Sequence, residues 1–368
     1  IDYTDTSDGV LLLEKAATNL ITYSNNFSDS SYIDNGVTAT SGFLSPEGTL
    51  NAYKLSENNT NSIHRIYQTA TVSASPNATI SIYVKYYGRK FVLMRIADSS
   101  VGRWYDLENG ILGSTYTSVP NDSNIESVGN GWYRISISHT VSSIARLELW
   151  VSDTESISAY QGDINKGVYL YGAQLEVGNL SSYIPTQGSA STRVAETANG
   201  AGNSEVFSDS EGVLFCDIAA NANDLTNRRI TISDPSGQNF VMINYTTATN
   251  QIAYSYYVSG VYEVYLTENI SKITDNTKIS VSWSLNKFQM YINGFLVKEQ
   301  LSGNLMTGNN LDNLRFSLWN GNDSFYGKTK EIGYYDTILT DLELETLTSY
   351  KSWTSMVNEL NLNIIYNG

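Results

Sequence analysis

GNGWYRISIS (Gly129–Ser138), ARLELWVSD (Ala145–Asp153) and VYLYGAQLEVGNLSSYIPTQGSASTR (Val168–Arg193) decide the fold. Apolar and polar residues alternate in the first two with the period that sends successive side chains to opposite faces of a strand. Gly, Asn, Asp and Ser separate the runs, as turns require. The first two runs and the closing GAQLEV strand predict one complete edge of a β-sandwich. The stretch from Ser182 to Arg193 then predicts an exit into a second domain.

The rest of the chain repeats this pattern. TISIYVKY (Thr79–Tyr86) and KFVLMRIA (Lys90–Ala97) read as strands, as do VLFCDI, FVMINY, QIAYSYYV, KISVSWS, KFQMYING and LRFSLWN downstream. Spacing near ten residues with turn signals between is the mark of sandwiches. With 368 residues there is enough chain for two of them. The fold class predicted is all-β: two consecutive antiparallel β-sandwich (jelly-roll) domains with one short helix near the C-terminus. QGSASTRVAETANGAGN (Gln187–Asn203) has no large apolar residue but Val194, so the domains are set at 1–190 and 205–350, with a linker at 191–204. Thr340 and Glu343 form a capping box that opens the helix, predicted to run to about Tyr350. The 351–368 tail is expected to add a terminal strand or to contact a neighbouring chain.

Composition narrows the function. A net charge of −15 argues against nucleic acid as a partner, since phosphate binding needs clustered Lys and Arg, although one local Arg cluster could still hold an acid group. Only 16% of residues are charged and Tyr outnumbers Phe 27 to 10, a polar, hydrogen-bonding composition suited to an extracellular or particle surface. Cys216 is the sole cysteine, so no intrachain disulfide forms, and its VLFCDI run marks it as a small core residue. No run of about 18 apolar residues predicts a membrane span. The chain begins with Ile rather than Met, the expectation being a processed or trimmed product.

Six segments carry a family resemblance. They are GVLLLEKAATNLITYSNNFS (Gly9–Ser28), SPEGTLNAYKL (Ser45–Leu55), HRIYQTATV (His64–Val72), YDLENGIL (Tyr105–Leu112), GNGWYRISIS, and GAQLEVGNLSSYIPTQGSASTR. In this order, over roughly residues 9 to 193, they resemble phage and prophage virion modules, of tail-fibre or head-fibre type, with a carbohydrate-binding-like jelly roll. Glu14 to Leu20 (EKAATNL) stands where that family usually has EPQRTNL. The second half, through KFQMYINGFLVKE (Lys287–Glu299) and GKTKEIGYYDTILTDLELETL (Gly327–Leu347), resembles a laminin-G or concanavalin-like sandwich. The resemblance implies a virion-surface, extracellular adhesion protein. Its implied partners are bacterial surface polysaccharide and other virion proteins, and it implies a homo-trimer. Fold alone leaves open a purely structural virion role, or a polysaccharide depolymerase.

Strand parity selects the candidate glycan site. Leu147, Leu149 and Val151 take the core face, leaving Arg146, Glu148 and Trp150 outward. Ile80, Ile82 and Val84 leave Tyr83 and Lys85 outward, and Trp104 in GRWYD is a further exposed candidate. An outward Trp beside charged side chains can cover the apolar face of a sugar while its neighbours bind hydroxyls. The competing reading buries Trp150 under a loop or another surface. Trp132 in GNGW reads as structural. Glu47, Asp153, Asp163 and Glu176 are the oxygen donors available for a structural calcium, though their spacing singles out no site. His64 and His139, the only histidines, stand beside no helper motif, and no G-x-S-x-G, phosphate loop or paired-carboxylate signature occurs, so no catalysis is expected.

Overall fold

The computed structural model describes residues 9–72, 76–96, 101–155, 159–308 and 310–349. It is built of antiparallel strands and one short helix, and it divides into two compact units. One is Ala16–Val194; the other combines Ala195–Gly368 with Ile1–Lys15.

Ala16–Val194 is a sandwich of two six-stranded sheets. The first, here the Trp150 sheet, has the order Ile111–Thr117, Val101–Asp106, Phe91–Arg95, Ile144–Ser152, Arg65–Thr71, Ile33–Asn35. The second, the Tyr171 sheet, runs Asp122–Ser127, Trp132–Thr140, Asn77–Tyr87, Gly167–Val177, Ala52–Glu57, Val37–Phe43. Ile80, Ile82, Val84, Leu147, Leu149 and Val151 all enter one core, as their alternation requires. The three deciding runs do not form one edge, however. Trp132–Thr140 and Gly167–Val177 are interior strands of the Tyr171 sheet, while Ile144–Ser152 is interior to the Trp150 sheet. Large side chains on both faces of these strands suit interior positions, where each face finds cover.

The domain boundary also differs from the expected one. Ser191–Arg193, placed in the linker, pairs with Ala17–Asn19 and closes the first sandwich. Asn199–Ala201, also placed there, pairs with Asn313–Arg315 in the second. Leu11–Leu13, assigned to the first domain, pairs with Gly327–Tyr335 of the second unit. Small polar residues weaken a strand signal without preventing backbone pairing, and the Leu11-Leu12-Leu13 run finds its apolar contacts through Leu13 in the second core.

The second unit is likewise two six-stranded sheets around one core, with Cys216 fully buried in it and its thiol pushed up by burial. Asn293 (φ 49°) and Gly294 (φ 86°) form the hairpin turn that their dipeptide predicts. Thr340 caps the helix Asp341–Thr348, with Glu343 completing the box, and Leu344 packs the helix on Val213 and Tyr291. The extension to Tyr350 and the 351–368 tail lie outside the described residues. No helix among the described residues is long and apolar enough to cross a membrane.

Candidate functional site

The outward side of the Tyr171 sheet holds a candidate site. Gly167–Val177 pairs regularly with Asn77–Tyr87 until the register slips between Tyr171 and Gln174. Gly172 takes φ 60° there, a left-handed conformation that costs any residue with a Cβ. A Cβ on it would also lie 3.0 Å from the Tyr83 ring and 3.3 Å from that of Tyr183. The bulge turns the strand toward the segment after Asn19: the Ala173 amide donates to the Ser24 carbonyl at 2.8 Å. Asn19 pins the arrangement, its amide group donating to the Ala173 and Ile184 carbonyls and its Oδ1 accepting from the Ile21 and Leu175 amides.

Three tyrosines meet at this bulge. Ring centroids are 5.8 Å apart for Tyr83 and Tyr171, 6.1 Å for Tyr83 and Tyr183, and 5.5 Å for Tyr171 and Tyr183. Tyr171 and Tyr183, with Tyr23, wall an open cleft of about 640 Å³ whose polar lining includes Glu47, Asn51 and Gln187. The Tyr183 hydroxyl is 2.7 Å from Ser24 Oγ, and Glu47 lines the same cleft as Tyr171. Burial, reinforced by Glu47, pushes the Tyr171 phenol well above its usual range; burial raises Tyr183 to about 12. Both therefore stay neutral hydroxyls that can donate and accept. Asn51 Oδ1 is buried with no hydrogen-bond partner among the described residues. Apolar ring faces beside convergent hydroxyl, amide and carboxylate groups suit a polyhydroxylated ligand. The lining holds one carboxylate and no cation.

Of the residues chosen from sequence, Tyr83 joins this group as a supporting ring, with the Arg134 guanidinium 5.4 Å from its centroid. Lys85 shares its face but is tied to the GNGW turn, Nζ donating to the Asn130 carbonyl at 2.7 Å. Trp132 is buried beside Ala52 and Tyr171, in the structural place expected of it.

Trp150, Arg146, Glu148 and Trp104 lie elsewhere, on the outward side of the Trp150 sheet. Their parity is as expected; their exposure is not. Trp150 is 6% exposed and Trp104 3%, packed together on Leu93 with Ile63, Phe91 and Tyr116 around them. The Arg65 and Arg95 guanidiniums lie 5.3 and 5.7 Å from the Trp150 ring. Glu148, wholly buried, accepts from Arg65 at 2.6 Å and from Arg95 at 3.1 Å. An aromatic ring stacks on a sugar only through a free face, and guanidiniums cover this one. Alternation gives the face a residue occupies; it does not reveal which side chains then cover it.

The four acids considered for calcium do not converge on one site: only Asp153 and Asp163 share a network, that of Arg89 and Glu57. Glu47 belongs to the cleft. Glu176 is buried and accepts from the Ser181 amide (2.9 Å), Ser181 Oγ (2.6 Å) and Gln174 Nε2 (2.9 Å); burial raises its carboxyl despite these bonds. Asp153 pairs with Arg89, and the Asp163 amide donates to Glu57 Oε2 at 2.9 Å. Glu57 itself is buried and takes Arg89 in a two-pronged pair. Burial alone would raise the Glu57 carboxyl, but bonds from Arg89, Tyr160 and the Asp163 amide hold it below its usual range. No group of three or more His, Cys, Asp or Glu is placed to hold a metal among the described residues. His64 is buried with its ring nitrogens against the Gly36 and Tyr160 carbonyls, in a structural setting.

Reading from sequence missed Tyr23, Asn51, Tyr171, Tyr183 and Gln187. Tyr169 and Tyr171 do alternate with Leu170, which marks their face, but only the bulge at Gly172 brings Tyr183 against them.

No family model matches the chain, and no curated protein matches it. Among solved structures it is similar to the Ruminococcus gnavus IT-sialidase CBM40, with 12% identity and a TM-score of 0.34 over 41% of this chain and 94% of that one. It is also similar to a toad ovary galectin in complex with thio-digalactose, with 10% identity and a TM-score of 0.27 over 38% and 99%. A third is the LG4-5 pair of the mouse laminin α1 chain, with 9% identity and a TM-score of 0.27 over 82% and 90%. At TM-scores this low the likenesses carry no weight for what this chain binds.

Proposed function

We propose that this chain is an adhesion protein whose first sandwich binds a neutral, hydroxyl-rich glycan in the Tyr171 cleft without cleaving it. The observation that carries the reading is the cleft itself: tyrosine walls beside Glu47, Gln187 and the unpartnered Asn51 Oδ1. Tyr171 and Tyr183 take the apolar face of a sugar ring, and Glu47 and Asn51 accept from its hydroxyls. Glycoside hydrolysis in its common forms needs two carboxylates across the scissile bond, and the cleft lining has one. The six-segment resemblance supports placing the protein on a virion surface, with bacterial surface polysaccharide as its partner.

The burial of Trp150 favours a second reading, a virion protein that only builds or decorates the particle. A glycan array probed with the intact protein and with Tyr183→Ala separates the two. Adhesion predicts host-derived neutral glycans that bind the parent and lose most of their signal with the variant. Absence of binding by the parent across host polysaccharides favours the structural role.

A further inference from the structure

The Tyr171 cleft is one end of a longer aromatic face. Two residues back along Gly167–Val177, Tyr169 shares the outward side with Tyr171, about 6.6 Å away by strand rise. Cross-strand pairing sets Tyr169 in a row, Trp132–Lys85–Tyr169–Lys54. The rings of Phe43, Tyr87 and Trp132 stand around it at centroid distances of 5.2, 5.1 and 6.4 Å. Tyr169, Tyr171 and Tyr183 belong to one apolar cluster, so row and cleft are continuous. They differ in charge. The row carries two lysines and no carboxylate, whereas the cleft lining carries Glu47 and no cation. Lys85 is tied to the Asn130 carbonyl at 2.7 Å. Half-buried Lys54 has a ring alone: its Nζ lies 4.6 Å from the Tyr87 centroid and has no hydrogen bond or ion pair among the described residues.

We propose that this row is a second subsite for the ligand of the cleft, in which Lys54 binds the carboxylate of a uronic acid next to the neutral sugar held by Tyr171 and Tyr183. The inference rests on the cleft reading above and names the sugar that lies beside it. An ammonium has three donors, and a ring occupies none of them as a hydrogen bond, so an incoming carboxylate gains charge-assisted bonds. The Tyr87 ring already restrains the lysine, which reduces the side-chain freedom lost on binding. Glu47 repels a carboxylate from the cleft, while Lys54 and Lys85 attract one a row away. The two ends thus fix which sugar goes where. At a net charge of −15 the rest of the chain opposes polyanions, so the preference is local and weakens as salt is raised.

The test probes the full chain with bacterial capsular polysaccharides that alternate uronate with neutral sugar, hyaluronan capsule among them. Each is printed beside its carboxyl-reduced form, in which every uronate has become a neutral sugar. The parent should bind the acidic form about fivefold more tightly than the reduced one. Lys54→Gln should bring the acidic form down to the level of the reduced form, leave the reduced form unchanged and keep the parent's Tm. Lys54→Arg should retain the preference, and Tyr183→Ala should lose most of the signal for both forms. A parent that binds both forms alike, a Lys54→Gln variant that keeps the preference, or one that loses both forms equally overturns this inference alone, provided Tyr183→Ala still weakens both. No binding of either form by the parent, or binding untouched by Tyr183→Ala, defeats the cleft reading and this inference with it.

Discussion

The two outward sides of the first sandwich are both aromatic, yet they offer opposite surfaces. On the Tyr171 side the rings pack edge to face and leave a cleft open beside them. On the Trp150 side guanidiniums take the ring and a buried carboxylate holds them there. One side presents neutral hydroxyls, an amide and a carboxylate; on the other, arginines paired with Glu148 lie over the ring. An outward aromatic is therefore no binding site in itself. What decides is whether its neighbours leave a face of it uncovered.

The largest way to break this contrast is to remove the clamp under Trp150. Glu148→Ala leaves Arg65 and Arg95 without their carboxylate and should cost about 3 kcal/mol of unfolding free energy, near the lower bound for breaking a buried pair because Arg65 is 27% exposed. Chemical denaturation measures it. Neutral-glycan binding at the cleft should persist in the folded fraction.

Gly172→Ala tests the other side. A left-handed φ with a Cβ costs about 1–2 kcal/mol, and the crowding of the Tyr83 ring adds to it. Lower thermal stability together with weaker glycan binding is the expected result; a stability loss alone would detach the bulge from the site.

Tyr183→Ala is milder for the fold. It should weaken neutral-glycan binding about tenfold, the worth of one stacking ring, as read by calorimetry.

The smallest effect concerns pH. The Glu57 carboxyl is held below its usual range, so its pairing stabilises the fold fully above the unfolded-chain value, about 4.3 for Glu, and the gain is lost as pH falls through the folded value. Glu57→Gln should therefore flatten the acid limb of a stability-against-pH curve. That curve should leave the contrast between the two faces untouched, since Glu57 lies in neither.

Alternation in the sequence reveals the sandwich, the core residues and the faces of Tyr83 and Trp150, because period 2 is a property of the strand itself. The Asn293-Gly294 turn and the Thr340–Glu343 box are legible for the same reason: their chemistry is local. Sheet membership is not local. Trp132–Thr140 and Ile144–Ser152 are neighbours in sequence and lie in different sheets, and Leu11–Leu13 pairs more than three hundred residues downstream. The cleft needs Asn51, Tyr171 and Tyr183 to converge from separate segments, which no spacing encodes. The cover on Trp150 needs Arg65 and Arg95 from two other strands, so its burial is invisible in ARLELWV alone.

The most direct measurement is a crystal structure of the chain with a bound neutral oligosaccharide from a host polysaccharide. The account predicts a sugar ring against Tyr171 and Tyr183, with hydroxyls donating to Glu47 and Asn51 Oδ1, and Trp150 still covered by Arg65 and Arg95. A neutral sugar stacked on Trp150 with those arginines displaced, and an empty cleft, would contradict it.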